Sequence, residues 1–371
     1  MNIKMKKNNP ITSLYIHIPF CVNICDYCDF TKLQYFRFLA EKYLIFLKKE
    51  IEITVENKSL KTIFVGGGTP TSLEDDLFLE LLEIIKPYSD QVEEYTFECN
   101  PESLSLNKIK MMKEYGVNRI SIGVESTNDK ILKAINRHHT FNDVKIAVKN
   151  LRKVGFDNYN IDLILGLPNV TLKMLKKDID NILSLKPKHI SSYALSVHPN
   201  TVFYSNKIEE PNEDYFTKSY KLIHEELLKN GFIHYEVSNF ALPEYESKHN
   251  KVYWANEQYY GVGLSASGYI NNQRYKNTSS INKYLDGNLN REIETVSKKD
   301  YEEYYIMLKL RTNEGIDLDE YKYIFNKDLY SAHKEDIDAF VRAKLLVLDR
   351  QKLIATFDGF LVLDTIILKL I

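Results

Sequence analysis

Three cysteines fall within eight residues and could hold a metal cluster. Cys21, Cys25 and Cys28 have the spacing C-x3-C-x2-C, and the whole chain has four cysteines. Three thiolates can serve three irons of a cubane and leave the fourth iron open for a small molecule. A zinc site is the alternative, with His17 as a fourth ligand, but C-x3-C is unusual for zinc and His17 falls within a predicted strand. The spacing therefore favours a [4Fe–4S] cluster.

Further polar residues follow or interrupt the predicted strands. The run Gly66–Pro70 follows the second strand, and glycines there let the backbone approach a ligand closely. Glu98 ends the third strand and Glu125 the fourth, while Asp162 interrupts an apolar strand, where a carboxylate is costly unless paired. Taken singly, the glycine run could be a plain strand-to-helix turn, and Glu98 could be a helix-capping acid. Active sites of α/β barrels form at the carboxyl ends of strands. We therefore expect the acids and the glycine run to meet the cysteines there, with Asp162, which is mid-strand, fitting less tightly.

Short apolar runs alternate with amphipathic stretches over the first half of the chain. The runs are Leu14–Ile18, Thr62–Val65, Glu94–Glu98, Arg119–Val124, Tyr159–Leu165 and His189–Ala194. The stretches between them are Phe36–Val55, Asp76–Ile85, Asn107–Tyr115, Asn142–Val154 and Leu172–Leu183. This alternation predicts an α/β fold with a parallel sheet. Six units suit an incomplete (β/α)6 barrel better than a full barrel of eight.

The same pattern divides the chain into four parts. Residues 1–13 form an N-terminal tail, and residues 14–210 form the partial barrel. Residues 211–296 extend the barrel, with a helix near Glu210–Asn230 followed by a loop-rich segment. Residues 297–371 predict a small, mainly helical domain with a hairpin, a layout that resembles a winged helix.

Composition restricts the class of protein. The chain has 371 residues, 44% hydrophobic and 27% charged, with a net charge of −2, which is typical of a globular protein without a broad basic face for nucleic acid. No apolar run approaches the ~20 residues that span a bilayer, and the basic N-terminus lacks a secretory signal. We expect a cytoplasmic protein in which disulfides are absent. Cys99 is interpreted as a small buried strand residue.

The residues around the cysteines resemble the radical SAM superfamily, and specifically its coproporphyrinogen-oxidase-like branch, from Leu14 to the C-terminus. The resemblance implies that Cys21, Cys25 and Cys28 ligate a [4Fe–4S] cluster whose open iron chelates S-adenosylmethionine (SAM). An electron from the cluster then splits SAM into methionine and a 5′-deoxyadenosyl radical. It further implies that Glu98 receives the SAM ammonium, Arg137 clamps its carboxylate and Asp162 contacts its ribose. The full set of implied SAM contacts is Tyr15, Tyr27, Gly67, Gly68, Thr69, Glu98, Glu125, Arg137 and Asp162.

Two positions depart from this pattern. Relatives usually carry glutamine where this chain has Glu125, which loses the amide donors and adds charge. Many relatives also carry glutamate in the segment that here reads Leu195-Ser-Val-His198-Pro199, so His198 is the second departure.

Within the branch, three features favour the haem chaperone type over the oxidase type. The oxidase carries another cysteine two residues after the third ligand, where this chain has Phe30, and it has a longer N-terminal extension. The segment His249-Asn-Lys-Val-Tyr253-Trp254 matches the H-N-x-x-Y-W haem-binding signature. The resemblance implies an axial imidazole from His249, with Tyr253 and Trp254 against the porphyrin. It implies a haem-acceptor protein and an electron donor as partners.

Three other functions stay open at this point. One is oxygen-independent coproporphyrinogen III oxidation, in which radicals convert two propionates to vinyl groups. Another is radical SAM modification of RNA, which the charge and the absence of an obvious basic domain disfavour. The third is a scaffold whose radical site has decayed, which the complete cysteine triad disfavours.

Overall fold

Six parallel strands, adjacent in chain order, form the centre of the molecule in a computed structural model that describes residues 10–371. Residues 1–9 of the predicted tail lie outside the described residues. The strands of this region are β1 (Ser13–Ile18), β2 (Phe20–Cys21), β3 (Leu33–Gln34), β4 (Thr62–Gly67), β5 (Glu94–Cys99), β6 (Arg119–Glu125), β7 (Tyr159–Leu165) and β8 (His189–Ala194). β1 and β4 to β8 are parallel neighbours, whereas β2 and β3 pair separately beside them. The predicted α/β fold with a parallel sheet is confirmed.

Helices cover the sheet because each has an apolar stripe at the helical period. They are α1 (Arg37–Thr54), α2 (Asp75–Ile85), α3 (Leu106–Glu114), α4 (Asp129–Ala134), α5 (Phe141–Val154), α6 (Leu172–Ser184), α7 (Val202–Ser205) and α8 (Glu213–Lys229). Several starts are set by side-chain caps, as in the reciprocal pair of Thr140 and Asp143 at α5. The same helix ends at Gly155, whose φ of 87° suits glycine.

The segment after α8 extends the sheet at both edges. Its elements are β9 (Ile233–Glu236), β10 (Asn239–Ala241), α9 (Lys248–Trp254), β11 (Tyr260–Val262), β12 (Ser267–Ile270), β13 (Gln273–Lys276), α10 (Ile281–Leu285) and β14 (Glu292–Thr295). β10 pairs antiparallel with β8 and β9 with β10, while β11 pairs parallel with β1, giving nine strands. The segment that the sequence described as loop-rich thus also contains short strands and helices that were not predicted. Strands of three or four residues are too short to show an alternating pattern. β9, β10 and β11 extend the edges of the existing sheet, whereas β12, β13 and β14 pair with one another in a separate sheet.

A buried carboxylate joins this extension to the first helix. Glu50 of α1 accepts hydrogen bonds from Gly263 N (2.8 Å), Asn277 Nδ2 (2.6 Å) and the Tyr284 hydroxyl (2.6 Å). Arg291 adds a cation 3.5 Å from the same carboxylate. A buried carboxylate is tolerated when its acceptor sites are filled in this way.

The last part of the chain packs around a hydrophobic cluster of its own. Its elements are α11 (Lys298–Lys309), β15 (Ile316–Asp317), α12 (Leu318–Phe325), α13 (Leu329–Ala332), α14 (Lys334–Arg342), β16 (Leu346–Asp349), β17 (Lys352–Ala355), α15 (Phe357–Leu361) and α16 (Leu363–Leu370). The expected mainly helical character and the hairpin, β16–β17, are present, and β15 joins the hairpin as a third strand. Over residues 10–371, no helix is long and apolar enough to cross a bilayer.

Candidate functional site: a cysteine-lined cavity in the partial barrel

A cavity of about 340 Å³ opens at the carboxyl ends of the parallel strands. We call it the cysteine cavity. It brings together nearly all residues that the sequence singled out, namely Cys21, Cys25, Tyr27, Cys28, Gly67, Gly68, Thr69, Glu98, Glu125, Arg137 and Asp162. Tyr15 is the exception among the expected SAM contacts. It lines a neighbouring space, the outer cavity, and its hydroxyl donates to His17 Nδ1 at 2.9 Å.

The cysteine loop offers three thiols, and the histidine considered as a fourth zinc ligand is not free to join them. Cys21, Cys25 and Cys28 are all free. Both ring nitrogens of His17 are engaged, since Nε2 donates to Thr31 O at 2.8 Å and Nδ1 accepts from Tyr15. The zinc alternative that used His17 is therefore not supported. Three thiols on one cavity wall fit the donor set of a [4Fe–4S] cluster with an open iron.

Two cations lie beside the thiols. Lys32 Nζ donates to Cys28 O, and Arg137 Nη1 lies 3.5 Å from Cys25 Sγ. Burial raises the pKa of the Cys28 thiol to about 11, and the charge of Lys32 opposes that rise. Positive charge next to cysteine favours the thiolate, which is the form that binds iron.

The glycine run holds the cysteine loop against β4 and β5. Gly68 N donates to Ile18 O and Thr69 N to Phe20 O, both at 2.8 Å, so the backbone pairs beyond the end of β4. At Gly67, φ is +109° and a Cβ atom would lie 2.4 Å from the His17 ring. At Gly66, a Cβ atom would lie 2.4 Å from Glu98 Oε2. These two positions require glycine because the backbone and a functional side chain approach so closely.

Besides the exposed Asp29, three carboxylates line the cysteine cavity, namely Glu98, Glu125 and Asp162. Glu98 Oε2 accepts from Gly67 N at 3.0 Å, and Asp162 Oδ1 accepts from Asn160 Nδ2 at 2.6 Å. Burial raises the pKa of Glu98 to about 7, and the Gly67 N–H partly offsets this. Burial likewise raises the pKa of Glu125 to about 7, against the attraction of Arg137. A cluster of desolvated carboxylates favours a cationic ligand, because each added positive charge relieves their mutual repulsion.

Arg137 links the carboxylates to the cysteine loop. Its guanidinium is buried, with Nη1 3.1 Å from Asn100 Oδ1 and Nη2 donating to Gly123 O. Nη2 also lies 3.8 Å from Glu125 Oε1. A Cβ atom on Gly123 would stand 2.9 Å from Nη2, so this glycine leaves room for the guanidinium.

Sequence reasoning missed a second arginine in the wall of the cavity. Arg119, at the start of β6, is only 2% exposed, and its Nε has no hydrogen-bond partner among the described residues. Its charge lowers the pKa of Glu98 and Asp162, although burial dominates both. Other lining residues that were missed are Asn100, Ser121, Ser191, Tyr193 and Asn250. The available signal was the alternation Arg119, Ser121, Gly123, Glu125 along one face of β6.

The H-N-x-x-Y-W segment is a helix, α9, and its three marked residues do not share one cavity. His249 is fully buried, with Nδ1 2.8 Å from Thr62 Oγ1 and Nε2 2.8 Å from the Tyr253 hydroxyl. Tyr253 lines the outer cavity, while Trp254 lines another one beside Lys251. The expectation that His249 presents a free imidazole to iron is therefore not met in this conformation. Both nitrogens already have partners, and burial lowers the pKa of His249 to about 3.

The outer cavity, of about 390 Å³, lies between the cysteine loop and the extension. Tyr15, Tyr253 and Tyr259 form its aromatic part, and Lys276 is a cation in its lining. Asp29 and Phe30 line both this cavity and the cysteine cavity. The two residues thus form a ridge between the two spaces.

A parallel partial barrel with three cysteines at its mouth defines the class of radical SAM proteins, and comparison with known sequences agrees. The Radical SAM superfamily pattern matches residues 15–182, and the HemN C-terminal domain pattern matches residues 296–362. Escherichia coli coproporphyrinogen III oxidase (HemN) has the same fold, with a TM-score of 0.84 over 98% of this chain and 91% of that chain at 22% identity.

Relatives similar over nearly the whole length narrow the class. The protein named heme chaperone HemW of Lactococcus lactis subsp. lactis (strain IL1403) is 40% identical over 359 residues, covering 94% of each chain. The one of that name in Bacillus subtilis (strain 168) is 40% identical over 320 residues, covering 82% of this chain and 84% of the other. This chain belongs to the HemW family of the radical SAM superfamily.

Proposed function

We propose that this chain is a radical SAM haem chaperone, which binds a [4Fe–4S] cluster, SAM and haem and transfers haem to an acceptor protein. The observation that carries the proposal is the 40% identity, over 94% of both chains, to a relative named heme chaperone HemW. Phe30 supports it as well, because a side chain 65% exposed to solvent stands where the oxidase type has a further cysteine. The chemistry of the cysteine cavity supplies the cofactor part of the proposal.

In this proposal Cys21, Cys25 and Cys28 hold the cluster. When bound, the cluster supplies an open iron for SAM and an electron for cleavage of its sulfonium bond. The charges of Lys32 and Arg137 favour the thiolate form, in which cysteine binds iron. The free state of all the cysteines is consistent with the cytoplasm, where thiols stay reduced, and we place the protein there.

The polar wall of the cysteine cavity is proposed to hold SAM. Glu98 accepts the ammonium group, Arg137 faces the carboxylate and Asp162 meets the ribose. The backbone of Gly67–Thr69 lies along the methionine part. Both positive centres of SAM, the ammonium and the sulfonium, suit the buried carboxylates of this cavity. Tyr27 and Glu125 complete this wall, while Tyr15 contributes through its hydrogen bond to His17.

Tyr253 and Trp254 remain proposed haem contacts, and His249 takes a different role from the one first expected. Its hydrogen bond to the Tyr253 hydroxyl fixes a residue of the outer cavity, and its contact with Thr62 anchors α9 to the barrel. Three acceptor bonds reinforce that anchor, since Glu94 takes hydrogen bonds from Ser247 Oγ and from the backbone N–H groups of residues 248 and 249. His249 is thus a positioning residue for the motif.

The test is anaerobic reconstitution with iron and sulfide, followed by haem titration and by transfer of haem to a haem-free acceptor protein. A parallel reaction supplies SAM, a reductant and coproporphyrinogen III. We expect stoichiometric haem binding and transfer, with no decarboxylated porphyrin. Turnover of coproporphyrinogen III to product would make the protein an oxidase instead, and absence of haem binding by the wild-type protein would reject the chaperone.

A further inference from the structure

An exposed histidine stands at the mouth of the cysteine cavity with a carboxylate beside it. His198 follows β8 and lines the cavity, and its Nε2 lies 3.5 Å from Oδ2 of Asp29, the residue directly after the third cysteine. The two side chains are 48% and 46% exposed. Among the described residues, no hydrogen bond engages the other ring nitrogen of His198. One imidazole nitrogen therefore faces an acceptor while the other is open to a ligand.

Two exposed aromatic side chains line the same cavity, and two further apolar residues are exposed in the helix that follows. Phe30 is 65% exposed on the ridge between the two cavities, and Tyr193 is 44% exposed at the end of β8. Val202 and Tyr204 are exposed in the next segment. That segment docks on the cysteine loop, because Phe203 N donates to Asp26 O at 3.0 Å. A group of exposed apolar residues at the rim of a cavity marks a binding surface for an apolar ligand.

The other histidines near the two cavities cannot serve as ligands in this conformation. His17 and His249 are buried with both ring nitrogens hydrogen-bonded. His189 is also fully buried, between Asn160 and Tyr235. His198 combines an accessible imidazole with a place in the cavity lining.

The chemistry of this rim matches an iron porphyrin. The macrocycle is flat and apolar, its iron takes an imidazole nitrogen, and its propionates are anions. A metal-bound histidine almost always donates its other ring N–H to a carboxylate or carbonyl group, which fixes the ring and raises its basicity. Asp29 stands where that acceptor is needed. Lys276 in the outer cavity and Lys32 in the cysteine cavity offer cations to propionates on either side of the ridge.

We propose that His198 is an axial ligand of the haem iron at the mouth of the barrel, with Asp29 as its hydrogen-bond acceptor and Phe30 against the porphyrin. The inference rests on the proposed function. It places the cargo at the solvent-exposed rim, where an acceptor protein can reach it, and outside the polar wall assigned to SAM.

The experiment is a haem titration of the full-length reconstituted protein, followed by absorption and electron paramagnetic resonance spectra. His198→Ala is expected to lose the nitrogen-ligated spectrum, and added imidazole is expected to restore it. His138→Ala is the matched control, because His138 is exposed outside both cavities. Asp29→Asn is expected to keep the ligand and weaken haem binding by about tenfold, with an altered spectrum.

The outcomes separate this inference from the function itself. If the wild-type protein binds no haem, the chaperone function and the ligand assignment both fail. If it binds haem and His198→Ala gives the wild-type spectrum and affinity, the function stands and the ligand assignment is overturned. His249→Ala adds a second comparison, since loss of a positioning residue weakens binding while the nitrogen-ligated spectrum of the remaining complex persists.

Discussion

Replacing Gly66 with alanine tests whether Glu98 must stand where the structure places it. A Cβ atom at this position would lie 2.4 Å from Glu98 Oε2 and 2.6 Å from its Cδ. The backbone of Gly66 itself is not in the left-handed region, so alanine adds a steric conflict without backbone strain. The conflict can be relieved only by moving the carboxylate or the strand.

The carboxylate has to retreat by about 1 Å to reach an ordinary van der Waals separation. It then leaves the Gly67 N–H, now 3.0 Å away, and the place from which we expect it to bind the SAM ammonium. A hydrogen bond between charged groups contributes about 1.5–3 kcal/mol. Its loss corresponds to roughly a tenfold to hundredfold increase in the Kd for SAM.

The assay is anaerobic calorimetry of SAM binding to the reconstituted Gly66→Ala protein. Gly116→Ala is the control, because Gly116 has open space around it but a φ of +83°, so alanine there lowers stability without touching the cavity. The variant Glu98→Ala and its combination with Gly66→Ala complete a double-mutant cycle. SAM binding within about twofold of wild type in Gly66→Ala, or an undiminished effect of Gly66→Ala when Glu98 is absent, would refute the reasoning.

Three other perturbations probe the site and its support. SAM binding should weaken as the pH falls through about 7, since burial raises the pKa of Glu98 to about 7 and the protonated acid loses its attraction for the ammonium; Glu98→Gln should flatten that profile. Glu50→Ala should lower the free energy of unfolding in urea by about 3–5 kcal/mol, because buried donors and Arg291 lose their acceptor, whereas the exposed Glu52→Ala should change little. Cys25→Ala should abolish cluster absorbance and Cys99→Ala should retain it; the reverse result would reject the proposed ligand set.

Features that depend on local sequence were predictable. A short window of the sequence is enough to recognise a strand of six or seven mostly apolar residues or a helix with an apolar stripe. The partial barrel then follows, because parallel strands joined by helices can be arranged in few ways. The cysteine loop and the glycine run were recognisable for the same reason. The cysteines fall within eight consecutive residues, and the glycine run has five.

Features that depend on remote partners were not predictable. The strands Ile233–Glu236, Asn239–Ala241 and Tyr260–Val262 carry too few residues to show a period, and they exist because the edges of the barrel accept them. The sequence does not distinguish Arg119 from an ordinary strand residue, because its burial depends on the neighbouring strands β5 and β7.

The composition, the βα alternation and the motif spacings of this chain thus determined its class and indicated the cysteines, the glycine run and the carboxylates of its cysteine cavity. Tertiary structure alone decided which side chains remain accessible. The sequence does not tell His249 from His198 as a possible ligand. In the structure Thr62, 187 positions away, hydrogen-bonds one ring nitrogen of His249. Among the described residues, none hydrogen-bonds the second ring nitrogen of His198. The physical reason is that exposure and hydrogen-bond partnership are set by residues distant in sequence that packing brings together.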